Sequence, residues 1–191
     1  MRQLLFILLL LAIGWQAASA GGSSDQDKWR KNTSLLPPYC QDRAGGDFEK
    51  WRKPFGDVFI HLHHYCSGIF SEQKAKSAQK KPERDKWLGE VVSSMRYVSS
   101  ACNQRCVLYP ELHTRWGWAL SEQGQIAEAM QHYQLAIKAK RNYTLAYARL
   151  SELYLKANQP DEARKILESG LKASPNSRSL KRRLKKLESS E

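Results

Sequence analysis

The sequence predicts an all-α fold: a helical hairpin, a short α-solenoid of two repeating units, and a C-terminal capping helix. Three observations carry this. Apolar residues recur at steps of three and four from about residue 58 onward, which is the period of one helix face. Residues 110–143 and 144–177 form two blocks with matching side-chain types 34 positions apart. Pro82 and Pro160 stand where helices should begin, a place where the missing N–H costs least, and Pro175 closes the second block.

Composition bounds the rest. The chain has 191 residues, 41% of them hydrophobic, with 31 Lys and Arg against 19 Asp and Glu. It can build a core, it is too short for a large multidomain enzyme, and four cysteines are too few for a disulfide-dense miniprotein. A net charge of +12 favours anionic partners without choosing among them.

Residues 1–20 read as a secretory signal peptide. Arg2 precedes the apolar run Leu4 to Ile13, and Ala18-Ser19-Ala20 supplies a small-x-small site, so cleavage is expected after Ala20. The alternative is an uncleaved signal anchor extended through Gly14 and Trp15, which would tether the protein to the membrane. Export across the inner membrane into a bacterial periplasm is the expected localisation, and it argues against nucleic acid as a partner. Residues 21–57 read as an irregular segment, broken by Pro37-Pro38, Gly45-Gly46 and Pro54. Trp29, Leu35, Leu36, Tyr39, Phe48 and Trp51 should anchor it over the helices that follow.

The hairpin is expected over 58–109. Its first helix carries Phe59, Leu62, Cys66, Ile69 and Phe70 along one stripe; the second, starting near Glu83, carries Trp87, Val91, Met95, Val98 and Cys102. Neither helix can bury its stripe alone, so they should pack antiparallel. In the blocks of 110–177, Gly117, Leu120, Gly124, Ala129, Tyr133 and Ala136 correspond to Ser151, Tyr154, Asn158, Ala163, Leu167 and Gly170. The paired small residues permit close helix approach where Leu or Phe would force separation. Residues 178–191 form a basic capping helix, with Leu180, Leu184 and Leu187 set among Lys181-Arg182-Arg183 and Lys185-Lys186.

Both blocks resemble the tetratricopeptide repeat, although Ser151 replaces the usual glycine and Arg141 stands where a proline often ends a unit. The resemblance implies an exported protein-interaction or assembly scaffold that binds a protein or peptide. It places on the groove-lining face Glu111, Thr114, Trp118, Ser121 and Glu122, then Leu145, Ala148, Glu152, Leu155 and Lys156. Some members clamp a terminal carboxylate, but Thr114, Trp118, Ala148 and Glu152 occupy the places where that clamp would begin. An exposed Trp118 beside Leu145 and Leu155 would instead meet an apolar or aromatic side chain. The rival role for Trp118 is to cover the junction of hairpin and repeats. The basic final helix offers a further docking surface for an acidic partner or an anionic membrane.

In an exported protein the default for four cysteines is two disulfides. Antiparallel packing separates Cys66 from Cys102 by roughly 13 Å along the hairpin, which disfavours that bond. Cys40–Cys66 with Cys102–Cys106 is the leading pairing. The three-residue spacing of Cys102 and Cys106 is not the two-residue redox spacing. His61 and His64 should share one helix face and could offer two nitrogens to a metal, the basis of an alternative metal- or heme-handling role. His63 should fall on the apolar side. No cofactor is expected, and no enzyme: the sequence holds no HExxH, GxSxG, phosphate-binding glycine loop or CxxCH, so a small enzyme would need an unfamiliar site.

Overall fold

The computed structural model describes residues 34–189, so the leader reading of 1–20 and the anchor Trp29 lie outside the described residues. Within them the secondary structure is helical throughout, with no strand. The order is α1 (Pro38–Gly45), α2 (Arg52–Phe55), α3 (Leu62–Ser77), α4 (Lys81–Ser99), α5 (Tyr109–Glu122), α6 (Ile126–Ala139), α7 (Thr144–Lys156), α8 (Pro160–Ala173) and α9 (Arg178–Glu188). None of these helices is long and apolar enough to cross a membrane.

The helices pair as α3 with α4, α5 with α6, and α7 with α8, and each pair packs on the next. Small residues set the closeness. A Cβ on Gly117 would lie 2.8 Å from a Tyr133 ring carbon, and one on Gly68 would lie 2.9 Å from the Ser94 Cβ. Ser151, the departure from the repeat pattern, is buried and turns its hydroxyl back to donate to the Ala148 carbonyl at 2.8 Å. The turns also repeat. Gly124 and Asn158, again 34 apart, take the left-handed conformation at φ 83° and 56°. Each lets the next residue donate to a carbonyl five back, Gln125 to Leu120 and Gln159 to Tyr154, both at 2.9 Å. This closes the helix ends in the manner of a glycine C-cap.

The first helices of successive pairs, α3, α5, α7 and then α9, also touch one another, while α4, α6 and α8 have no mutual packing of similar extent. The array therefore curves, with the first helices inside. The hairpin α3–α4 is the first unit of the stack, and α9 closes it by burying Leu180 and Leu187.

The amino-terminal segment is partly helical. Pro54 sits in the first turn of α2, where no donor is needed, and residues Gly56–His61 form a 3₁₀ stretch instead of the first turns of α3. Phe48 stacks on Phe59 with centroids 4.4 Å apart, and Tyr39 meets Phe55 at 5.0 Å. Leu36 is buried as an anchor, whereas Leu35 points to solvent. Cys102 falls beyond the end of α4 yet is buried.

Cys40 is bonded to Cys66 and Cys102 to Cys106, with Cα atoms 5.5 and 5.2 Å apart. The first bond fastens α1 to α3; the second closes the turn between α4 and α5. Replacing both Cys40 and Cys66 by alanine is expected to cost about 2–4 kcal/mol by loop-closure reasoning. The melting temperature should fall, and trypsin should gain access to Arg43, Lys50 and Lys53. Unchanged melting and protection would show that aromatic packing alone holds the segment.

Candidate functional site

The inner face of the curve is built from α3, α5, α7 and α9. Glu111, Ser121, Glu122, Leu145, Glu152, Leu155 and Lys156 all reach its surface to some degree. Three others do not. Thr114 is buried and donates its hydroxyl to the Pro110 carbonyl at 2.8 Å, and Ala148 is buried under its neighbours. Trp118, expected as an exposed contact, is only 7% exposed and belongs to the core that joins hairpin to repeats. The cause is α3, whose packing on α5 covers the indole and sets the Lys76 ammonium 4.8 Å from its ring centroid. What remains apolar and open on this face is Leu145, 44% exposed, and Leu155, 45% exposed.

Charge is arranged with a regularity that the sequence did not reveal. Glu72 is held by Lys76 and Arg115, Glu122 by Arg84 and Lys156, and Glu152 by Arg149 and Arg183, the last at 2.6 Å. Each carboxylate thus bridges two cations, usually from different helices, and locks adjacent units together. Glu72 is the most buried of the three. Burial alone would push its carboxyl up, but Arg115 and Lys76 outweigh that and hold it below the ordinary range. Arg115 also donates to Glu111 at 2.7 Å. Beside it the Tyr143 phenol is pushed up to about 12, first by burial and then by Glu111.

Two of the clefts on this face reach its exposed leucines. One, of about 270 Å³, lies among Glu72, Arg115, Trp118, Leu145 and Arg149. The other, of about 330 Å³, lies between α7 and α9 at Glu152, Leu155, Arg183 and Leu187. Each takes one of the exposed leucines into its lining.

The amino-terminal histidines gather around Tyr97, whose ring centroid lies 3.9 Å from that of His64 and 5.5 Å from that of His61. His63 is half-buried beside them with Nδ1 3.0 Å from the Ile60 carbonyl oxygen, not sunk in the core. The 3₁₀ stretch before α3 changes the helix phase on which the sequence placement rested. Burial, then His63 and His61, lowers the His64 pKa. Among the described residues no group of three His, Cys, Asp or Glu side chains is placed to hold a metal ion.

A second histidine pair went unread because its members sit on different helices. His113 of α5 and His132 of α6 face each other with Nδ1 atoms 2.7 Å apart, one ring donating to the other, and Trp116 stacks on His132 with centroids 4.2 Å apart. Tyr109 closes the other side of His113 at 4.1 Å. Burial pushes both imidazoles down to about 4, and for His113 the neighbouring His132 adds to it. A folded pKa below the unfolded value means that the unfolded chain takes up protons first. Stability should therefore be full above pH ~6.5 and decline as pH falls towards ~4, by on the order of 2–4 kcal/mol for the pair after allowance for partial exposure. Melts of the native chain and of His113→Phe/His132→Phe from pH 7 to 4.5 check this: the variant should lose most of the slope. An equal slope would assign it elsewhere.

Comparison with known proteins agrees with this architecture. The tetratricopeptide repeat family model matches residues 120–186. Among solved structures, the tetratricopeptide-repeat protein TTC0263 of Thermus thermophilus superposes with a TM-score of 0.61 at 16% identity, over 85% of this chain and 86% of that one. The first repeat domain of human RPAP3 gives 0.48 at 22% identity, covering 64% and 91%. That of Spaghetti (RPAP3), bound to an HSP90 peptide, gives 0.48 at 22% identity over 64% and 94%. No curated protein matches the chain. The stacked helix pairs, the 34-residue period and the family match together show that residues 120–186 carry tetratricopeptide repeats within an all-α stack.

Proposed function

We propose that this chain is an exported interaction or assembly module that holds a short apolar peptide segment on the inner face of α5 and α7. The observation that carries the reading is the pair of exposed leucines, Leu145 and Leu155, on a face whose carboxylates are otherwise bound to cations. Exposed leucine on a concave surface is the kind of contact that gives peptide affinity, and the ion pairs flanking it fix direction and register. The cations that could seize a terminal carboxylate already hold Glu72, Glu122 and Glu152. A neutral segment therefore suits this groove better than an acidic tail.

Two features support export. The leader-like sequence of residues 1–20 is one, and the two disulfides, bonds that persist in oxidising compartments, are the other. Lys181, Arg182, Lys185 and Lys186 on α9 stay exposed and would give an acidic partner or an anionic membrane surface a second contact.

Peptides selected from a displayed library on the oxidised chain supply the test. Leu145→Ser/Leu155→Ser should weaken the selected peptide at least 10-fold, since each side chain loses roughly 1 kcal/mol of apolar burial. Melting should barely change, because both side chains are exposed. His61→Ala/His64→Ala should bind as the native chain does. Unaltered affinity in the leucine variant would remove the groove as the site, and loss in the histidine variant together with a bound metal would favour metal handling.

A further inference from the structure

The outer side of the repeat array holds a larger opening than either inner cleft. It lies between the C-terminal halves of α6 and α8, over α7, with a volume of about 890 Å³, a size that encloses a small ligand. Ile137, Leu150 and Ile166 form an apolar floor, with the Tyr147 ring beside them. Lys138, Lys140, Arg141 and Lys172 stand around the rim, and no carboxylate contributes to the lining. All four cations are exposed, and none is engaged in an ion pair with a described residue. The inner face is the reverse: there each of Glu72, Glu122 and Glu152 takes up two cations.

A purely structural reason exists for part of this. Lys138 and Lys172 sit in the last turns of α6 and α8, where positive charge complements the helix ends. That reason does not reach Arg141, which lies in the connection to α7, nor does it explain why Ile137 and Ile166 stay only partly buried beneath the cations. Burial of the floor and pairing of the rim would both be satisfied by one kind of occupant.

We propose that this cleft binds a single anionic amphiphile, an apolar chain ending in a carboxylate or phosphate. The tail would cover the partly buried Ile137 and Ile166, and the head would be met by Arg141 with Lys138 and Lys172. Arginine and lysine stay charged across the physiological range, so head-group binding should weaken with salt and not with pH. A bilayer plane does not reach the floor of a cleft walled by two helices, and a wholly acidic peptide leaves the floor uncovered. The site is separate from the inner groove and does not rest on the peptide-binding reading.

Calorimetric titration of the full oxidised chain tests it, with sodium dodecanoate, dodecyl phosphate and neutral dodecyl maltoside kept below micelle-forming concentrations. One-to-one binding of the two anions is expected, with the maltoside at least 10-fold weaker. Lys138→Gln/Arg141→Gln/Lys172→Gln should weaken dodecanoate at least 10-fold. Ser169→Trp, which fills the cleft from its exposed edge, should abolish binding. Lys181→Gln/Arg182→Gln/Lys185→Gln on α9 should leave it intact, which separates the cleft from general basic charge. Methyl shifts of Ile137 and Ile166 in the native chain give the same answer without any variant. Three outcomes overturn the proposal: no one-to-one binding of either anion, equal loss in the α9 variant, or Ile137 and Ile166 methyls unmoved by a bound anion. Binding to anionic vesicles but not to monomers would make this a membrane-facing surface, and competition by hexaglutamate as strong as by dodecanoate would make it an acidic-peptide site; either result also overturns it.

Discussion

Replacing Trp118 by alanine should cost about 3–5 kcal/mol of stability, the range for deleting a buried aromatic side chain. The indole is nine-tenths buried, it joins the core shared by α3 and α5, and the Lys76 chain lies across it. The Glu72–Arg115 ion pair fixes the spacing of α3 and α5, so the helices do not close fully on the space left behind. Loss on this scale is a large fraction of the stability of a domain of this size. Melting should become broader as well as lower, since the hairpin would uncouple from the repeats. A variant that keeps the native melting temperature would show that Trp118 is a surface residue and that α3 does not cover it.

Arg115→Met should cost a similar amount, about 3–5 kcal/mol, by leaving a buried carboxylate with half its compensation. Glu72 would keep Lys76 but lose the guanidinium, and Glu111 would lose its own partner. The pH dependence gives this result its signature. In the native chain the Glu72 carboxyl is held below its ordinary value, so the stability it contributes is present above pH ~4.5 and is lost as pH falls through the folded value. In the variant, burial is opposed only by Lys76 and the carboxyl rises. The stability gap between variant and native chain should therefore narrow as pH drops below ~4.5. Adding Glu72→Gln should restore much of the loss at neutral pH. A gap that neither narrows with acid nor responds to Glu72→Gln would mean that Arg115 matters only through packing of its aliphatic stem.

The repeat half was legible because its constraints are local. Gly117 with Ser151 and Gly124 with Asn158 recur at one fixed period, and each has a backbone or packing reason that sequence spacing can report. Distance along the hairpin disfavoured only Cys66–Cys102, and the leading pairing of Cys40–Cys66 with Cys102–Cys106 is the one the structure holds. What the sequence hid depends on contacts between distant segments. Gly68 plays for α3 and α4 the part that Gly117 plays for the next pair, yet it lies 49 residues earlier. The longer helices and the disulfide-closed turn after Ser99 put the first unit out of period. Trp118 read as a groove residue because the helix that buries it begins more than 50 positions upstream. The His113–His132 contact and the three doubly paired carboxylates are likewise products of stacking. His61 and His64 meet at Tyr97 on one side as their spacing suggests, whereas His63 was misphased by a 3₁₀ stretch that no periodic argument anticipates.

Amide shift mapping of a selected peptide on the isotopically labelled chain bears most directly on the claim that the inner face is the binding groove. Binding should move resonances along α5 and α7 at Ser121, Leu145, Glu152 and Leu155, and leave the outer helices α6 and α8 and the His61–His64 cluster unperturbed. Shifts confined to α6 and α8, or centred on His61 and His64, would contradict it.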